Sequence, residues 1–247
     1  MIFVYDNPTL LSQALAHFFI DKCKESIKER GKFTVCLTGG SSPKGLYKLL
    51  SSPPISNQID WEKVFVFWGD ERMVADTDAQ NNGQMTFDAL LNNVPVPVNQ
   101  IFRMNGNLSP DAAAVAYEKI LKEFFQVEGP GFDLILLGMG ENAHTASLFP
   151  YTSALTEHTA WVKGLYIEEV KMNRLTLTAP FINMAREIVF IVFGANKAQT
   201  LHEVLEGDRD IQLKPAQLIV PVNGNLRWFL DTKAASGLST ATLSASV

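Results

Sequence analysis

The chain has 247 residues, of which 47% are hydrophobic, and its formal net charge is −5 at pH 7. This length and apolar content predict one large domain with a sizeable core. The acidic balance argues against a nucleic-acid or membrane-surface binder, because such proteins need clustered Lys and Arg. An anionic ligand would have to be held by a local group of basic side chains.

The cysteines and the first residues bear on the compartment. Cys23 lies in a segment of helical pattern and Cys36 in a strand-like one, so we expect two buried thiols rather than a disulfide framework. MIFVYDNPTLL lacks the regions of a signal peptide, and no apolar run approaches the roughly 20 residues that span a bilayer. We expect a cytoplasmic protein without membrane or nucleic-acid partners, either a monomer or a small homo-oligomer.

Apolar strands alternate with helices along the chain. A helix is expected after Asn7-Pro8 up to Gly31, and the pattern then predicts strands at 33–37, 61–68, 132–138, 173–178, 187–194 and 216–222, and helices at 43–50, 80–91, 111–125 and 195–207. From about residue 235 the chain is small and polar, and we expect a loosely held tail. The alternation predicts a single α/β domain, residues 1–247, with a mainly parallel sheet and helices on both faces.

Three loops each follow the carboxyl end of an apolar strand: TGGSSP (38–43), GDER (69–72) and GMGENAH (138–144). Ligands of open α/β sheets bind at that edge. We therefore expect the three loops to meet at one site.

The first loop has the composition of an anion-binding turn. Gly39 and Gly40 permit a tight turn, Ser41 and Ser42 supply hydroxyls, and Ser42 is expected to cap a helix whose first residue is Pro43. Free N–H groups at such a helix start suit a phosphate, although the same residues also make an ordinary turn and cap.

The second loop places charges after an almost wholly apolar strand. Asp70, Glu71 and Arg72 form either a solvated ion pair or part of a site. Asp78 and Asn82 follow closely and are expected to hydrogen-bond back to this loop.

The third loop contains GMGENA, which matches a dinucleotide fingerprint in its letters. Its position in mid-chain and the SLFP that interrupts any following helix argue against a dinucleotide site. His144 is the stronger candidate, because an imidazole with a pKa near 6.5 can take a proton from water. The alternative is a structural histidine.

Two cations complete the set of candidates. Arg174 lies in a predicted strand and Lys197 at the start of a predicted helix, and either could grip a phosphate or be a plain exposed charge. The sequence has no H-E-x-x-H, no paired cysteines and no G-x-S-x-G, so we expect neither a metal site nor a serine hydrolase.

In chain order, TGGSSPKGLY, WEKVFVFWGDER with DAQNN, GMGENAHTASLFP, NRLTLT, FGANKA and VNGNLRWFLD closely resemble the 6-phosphogluconolactonase family. The resemblance runs from about Phe33 to Ala234. It implies a Rossmann-like α/β fold shared with glucosamine-6-phosphate deaminases. It also implies hydrolysis of 6-phosphogluconolactone to 6-phosphogluconate in the oxidative pentose phosphate pathway, without metal or other cofactor.

The resemblance also implies roles for individual residues. His144 corresponds to the general base for water, Asp70 and Arg72 lie by the sugar ring, and Arg72 is our candidate for the developing oxyanion. Asn82 and Asn142 support the site. The phosphate would be held by Gly39, Gly40, Ser41, Ser42, Arg174 and Lys197.

One tripeptide departs from the family pattern. Asn142-Ala143-His144 stands where the family usually has Asp-Gly-His. In the deaminases that Asp moves a proton, so Asn142 disfavours a deaminase; in a lactonase it is expected to lower activity. Ala143 removes the access of glycine to positive φ. A lactonase is the preferred hypothesis, beside a deaminase-type isomerase and a catalytically weakened sugar-phosphate binder.

Overall fold

The computed structural model describes residues 1–126 and 131–244, and its centre is a parallel sheet. Numbered along the chain and given in spatial order, its strands are β1 (Ile2–Tyr5), β9 (Asn225–Asp231), β8 (Glu187–Val192), β5 (Leu134–Leu137), β2 (Phe33–Leu37) and β3 (Val64–Trp68). Every residue of β2, β5 and β8 is buried, so both faces of the sheet are covered. This confirms the expected α/β architecture and explains why these strands read as unbroken apolar runs.

A second, antiparallel sheet stands beside the first. Its strands, in spatial order, are β4 (Asp70–Arg72), β7 (Met172–Leu177) and β6 (Val162–Ile167). The chain passes from β3 into β4 through Gly69 alone, so the charged segment that was expected to be a loop is a short strand. Neither β6 nor the N-terminal β1 was predicted from the sequence.

The helices are α1 (Pro8–Arg30), α2 (Lys44–Leu50), α3 (Asn82–Ala89), α4 (Pro110–Phe125), α5 (Ala179–Ile182), α6 (Ala198–Leu205) and α7 (Thr240–Ser244). The limits of α1 follow its sequence signals: the Asn7 side chain accepts from Thr9 N and Leu10 N, both at 3.0 Å, and Gly31 ends the helix at φ 75°. Across residues 1–126 and 131–244, no helix combines the length and the apolar character needed to cross a membrane.

The strand order places one crevice at the carboxyl edge of the sheet. From β2 the chain goes to β3 on one side and then to β5 on the other, so that the loops after β2 and β5 leave neighbouring strands in opposite directions. Such a switch point is where open α/β sheets bind ligands. The loops after β3 and β8 open at the same edge.

The predicted cap of the second helix is wrong. α2 begins at Lys44, not Pro43, and no side chain caps it. Pro43 already has helical φ and ψ and occupies the cap position itself, which leaves the Ser42 hydroxyl free of the capping role.

The predicted strand at 216–222 is also wrong. Residues Pro215–Leu218 form a single 3-10 turn, and the backbone N–H groups of Val220 and Val222 donate to Asn183 at 2.8 and 2.9 Å. Pro215 and Pro221 remove two ladder donors, which opposes a strand inside a sheet. The last strand is β9, nine residues further on than the start of the predicted one.

The first residues of the expected loose tail are not loose but pack into the core. Ala235 and Leu238 are buried, and Ser239 N donates to a Glu206 carboxylate oxygen at 2.8 Å. Residues 245–247 of that tail lie outside the described residues. Cys23 and Cys36 are both buried free thiols, as predicted.

Candidate active site

A cleft of about 310 Å³ opens at the switch point of the parallel sheet. Of the residues to which the family resemblance gave a role, the walls contain all but one, namely Gly39, Gly40, Ser41, Ser42, Asp70, Arg72, Asn82, His144, Arg174 and Lys197. The exception, Asn142, lies behind His144. The three loops predicted to meet at one edge therefore do so, joined by the loop after β8 and by β7 of the second sheet.

His144 is largely buried at the end of the loop that follows β5. Its ring stacks on Phe149 with centroids 4.0 Å apart and planes 11° apart. Burial lowers the pKa of His144 to about 4, with further lowering by the charges of Arg174, Lys197 and Arg72. The imidazole is therefore neutral at pH 7, as a proton acceptor must be.

The loop turns so tightly that Gly140 touches the imidazole. Gly140 N donates to His144 O at 2.8 Å, and a Cβ at Gly140 would lie 2.1 Å from His144 Nδ1. Ala143 adopts φ 62°, so alanine takes the positive φ that we expected to require glycine. A hydrogen bond of 2.9 Å from Ala216 N to Ala143 O holds this residue in the turn.

Asn142 contacts the Nδ1 atom of the His144 ring. Its Oδ1 lies 2.5 Å from His144 Nδ1 and also accepts from His144 N at 3.2 Å. Its Nδ2 donates to both carboxylate oxygens of Glu169, at 2.8 and 2.9 Å. With Asn142 accepting from Nδ1–H, the lone pair of the imidazole is on Nε2.

Asp70 is buried and held from three sides. Ser147 Oγ donates to its Oδ2 at 2.7 Å, and Asn82 Nδ2 donates to its backbone oxygen at 3.0 Å. Arg174 Nη1 lies 4.0 Å from Asp70 Oδ2. Its carboxylate is thus fixed in the cleft wall within reach of a ligand.

Glu71 points to the opposite face of β4 and organises the loop behind the cleft. Its carboxylate accepts from the backbone N–H groups of Arg72, Asn82 and Gly83 at 2.7–2.8 Å. Burial raises the pKa of Glu71 to about 7, and these three donors oppose the rise. Asn82 therefore binds back to the charged strand as predicted. Asp78 does not: its carboxylate accepts from Gln80 N instead.

The glycine-serine loop approaches this network closely. A Cβ at Gly39 would lie 1.9 Å from Asn82 Oδ1, and Gly40 has φ 82°, so a side chain would clash at the first position and strain the backbone at the second. The loop therefore presents its backbone and the two serines to the cleft.

Lys197 enters from the loop after β8. Its pKa is lowered by burial, with Glu141 opposing that effect. Asn196 Nδ2 donates to Glu141 Oε1 at 2.6 Å and Thr200 Oγ1 to Glu141 O at 2.7 Å. These bonds join the Lys197 loop to the histidine loop.

Sequence reasoning gave no role to several residues of the site. Phe149 stacks on His144, Ser147 binds Asp70, Glu169 binds Asn142, and Val170 lines the cleft. Ser147 and Phe149 lie inside the stretch GMGENAHTASLFP, but no spacing rule separated them from their neighbours. Glu169 is 27 residues from its partner, beyond any local pattern.

A parallel sheet whose switch-point cleft holds a neutral histidine and three cationic side chains is the architecture of an α/β enzyme for small anionic substrates. The chain belongs to the family described as glucosamine-6-phosphate isomerases and 6-phosphogluconolactonases, whose model matches residues 6–228.

Two curated relatives and one solved structure illustrate the similarity. The chain is 42% identical to a 6-phosphogluconolactonase of Synechocystis over 87% of this chain and 88% of that protein. It is 37% identical to a probable chloroplastic 6-phosphogluconolactonase of Oryza sativa subsp. indica, over 96% and 76% of the two chains. The structure of 6-phosphogluconolactonase from Trypanosoma brucei superposes with a TM-score of 0.85 at 26% identity, covering 97% of this chain and 98% of the other.

Proposed function

We propose that this protein hydrolyses 6-phosphogluconolactone to 6-phosphogluconate, with His144 as the general base. The observation that carries the proposal is the neutral His144 imidazole beside three cationic side chains in one cleft. A base and an anion-binding surface side by side are what a phosphorylated lactone needs. The relatives named above support the same substrate.

The chemistry follows from the state of the imidazole. His144 Nε2 takes a proton from a water molecule as that water attacks the lactone carbonyl carbon. The tetrahedral intermediate collapses, the bond from that carbon to the ring oxygen breaks, and the imidazolium returns the proton to the ring oxygen. A lactone carbonyl is already electrophilic, so positioning and a base suffice.

The cations are proposed to serve the phosphate and the developing oxyanion. Arg174, Lys197 and the serines of the glycine-serine loop grip the phosphate, and Arg72 faces the oxyanion. A bound phosphate also neutralises charges that lower the His144 pKa. Substrate binding is therefore expected to raise the basicity of His144 when the base is needed. Asp70 accepts from a sugar hydroxyl.

The test is lactone hydrolysis at neutral pH, measured above the spontaneous rate with freshly generated 6-phosphogluconolactone. Wild type is expected to accelerate the reaction, and His144→Ala to lower kcat by roughly 10²- to 10⁴-fold. His158→Ala is the matched control, because His158 is exposed and lies outside the cleft. Equal activity of wild type and His144→Ala would overturn the assignment of the base.

Two further assays separate the alternatives. Release of ammonia from glucosamine 6-phosphate would indicate a deaminase, which Asn142 disfavours because an amide cannot carry the proton that a carboxylate carries. Thermal stabilisation by 6-phosphogluconate without lactone turnover would indicate a sugar-phosphate-binding protein.

We further propose that the enzyme works in the cytoplasm as a monomer or small homo-oligomer. The two buried free thiols support a reducing compartment. Cell fractionation and light scattering on the purified chain test the two statements.

A further inference from the structure

We propose that Glu169 is a positioning residue that fixes the tautomer of His144 through the amide of Asn142. The inference deepens the proposed function and depends on His144 acting as the base. It rests on a chain of contacts that begins at an exposed carboxylate and ends at the imidazole in the cleft.

The contacts have a fixed polarity. Glu169 lies in the 3-10 turn Glu168–Val170 between β6 and β7, and its two oxygens receive Asn142 Nδ2 at 2.8 and 2.9 Å. An ionised carboxylate only accepts hydrogen bonds, so it must face the NH₂ end of the amide. The carbonyl end then faces His144 Nδ1, at 2.5 Å.

Amide polarity decides the tautomer of the histidine. A carbonyl oxygen at Nδ1 requires an Nδ1–H, which leaves the lone pair on Nε2, where water is activated. A flipped amide would donate to Nδ1 and place the hydrogen on Nε2, which abolishes the base. A second contact also favours this orientation of the amide: Asn142 Oδ1 accepts a hydrogen bond from His144 N, at a longer 3.2 Å. Glu169 is thus the stronger of the two contacts that hold the productive orientation.

An aspartate at position 142 would not need this help, because both of its oxygens accept. It would instead face Glu169 as a second carboxylate at the present amide–carboxylate distance of 2.8 Å, where like charges repel. Glu169 therefore supports the base when residue 142 is Asn and opposes it when residue 142 is Asp. This change of sign separates a positioning role from a merely structural one.

The first test reads the tautomer directly and needs no turnover. Ring ¹⁵N chemical shifts of His144 at pH 7 are expected to show the Nδ1–H tautomer in wild type and a mixture with Nε2–H in Glu169→Ala. Glu168→Ala is the matched control, since it removes the neighbouring exposed carboxylate of the same turn. An unchanged Nδ1–H tautomer in Glu169→Ala would overturn the proposal.

The second test is a kinetic cycle on lactone hydrolysis. Glu169→Gln alone is expected to lower kcat by roughly three- to tenfold, with little change in KM. Asn142→Asp alone is expected to lower kcat by a similar factor, which reverses the expectation from the family pattern, because the new carboxylate would face Glu169. In the double variant the carboxylate is at position 142 and the amide at position 169, so a carboxylate again faces an amide. The double variant is therefore expected to recover most of the kcat lost in the single variants. Losses that simply multiply in the double variant would overturn the proposal.

The two tests distinguish this inference from the proposed function. If wild type lacks lactonase activity but the ¹⁵N shifts still respond to Glu169→Ala, the proposed function fails while the effect of Glu169 on the His144 tautomer stands. If lactone hydrolysis depends on His144 but neither measurement responds to Glu169, the function stands and the positioning role fails.

Discussion

Arg72 and Arg174 lie directly opposite each other in the antiparallel pair of β4 and β7. Like charges in such a pair are destabilising. Asp70, two residues before Arg72, shares their face of the sheet but lies 4.0 Å from Arg174. Among the described residues, the Nε atoms of both arginines are buried without a hydrogen-bond partner. The cleft therefore carries a surplus of positive charge that a bound anion would neutralise.

The first prediction follows from this surplus. Inorganic phosphate is expected to raise the Tm of wild type, because a ligand that binds only the folded state stabilises it. In Arg174→Gln the increase should fall to less than half. Arg209→Gln, which removes an exposed arginine outside the cleft, is the control. Differential scanning fluorimetry over a phosphate titration makes the measurement, and equal shifts in all three proteins would contradict the prediction.

The positions of these arginines were only partly predictable from the sequence. The buried strands could be located because they are apolar throughout, and from them followed the shared edge and the three loops. β4 has three residues of high charge and β6 is half exposed, so neither carries an apolar signal. The pairing of Arg72 with Arg174 requires β4, which was not predicted, beside β7, and it joins residues about a hundred positions apart. No local pattern contains that information.

The local chemistry of the site was less predictable than its place. His144, Asp70 and the glycine loop could be found because each follows a strand. Ser147 and Asp70 are 77 residues apart, and their contact arises only when the histidine loop folds over β4. Alanine at position 143 was expected not to adopt a positive φ, yet the surrounding turn imposes φ 62° on it. Tertiary contacts override intrinsic preference there.

The second prediction concerns the pH profile of kcat/KM, which reports the free enzyme. The base must be neutral, so activity is lost as the pH falls through the pKa of His144. Because burial and three cations lower this pKa to about 4, the His144 limb should lie well below pH 6.5. Lys197→Met removes one of the cations and should move the limb to higher pH, whereas Lys119→Met on the exposed face of α4 should not. A shared limb in all three proteins would refute this.

The third prediction links the same group to stability. The folded pKa of His144, about 4, lies below the ordinary value of 6.5. Between these values the unfolded state binds more protons, so the free energy of unfolding decreases as the pH falls from 6.5 towards 4. Urea midpoints at pH 7 and pH 4.5 should therefore differ more for wild type than for His144→Ala. Identical differences would show that the imidazole titrates normally in the folded protein.

The fourth prediction uses the close approach of Gly140 to the base. In Gly140→Ala the new Cβ would lie 2.1 Å from His144 Nδ1, so the ring must leave its place on Phe149. We expect kcat to fall by roughly 10²-fold, the effect of a misplaced catalytic group. Gly69→Ala is the control, since its Cβ would meet Cys36 Sγ at an ordinary 3.5 Å. Circular dichroism must show both variants folded for the comparison to count.

The last prediction tests the Ser147 hydroxyl, which the sequence did not single out. Its Oγ donates to Asp70 Oδ2 at 2.7 Å, while its backbone N–H donates to Thr176 Oγ1 at 3.1 Å. Ser147→Ala keeps the backbone bond but removes a buried donor from a carboxylate, which costs about 1.5–3 kcal/mol. Asp70 is then free to move towards Arg174 and away from a sugar hydroxyl.

KM for the lactone should therefore rise by roughly tenfold in Ser147→Ala, with a smaller change in kcat, because substrate binding loses an oriented acceptor while the base is untouched. Ser147→Thr retains the hydroxyl but adds a methyl group to a fully buried position, so its effect should be on the urea midpoint. Steady-state kinetics on both variants separate the loss of the hydroxyl from the effect of added volume. A fall in kcat with unchanged KM in Ser147→Ala would mean that Asp70 acts on the chemical step rather than on the sugar ring.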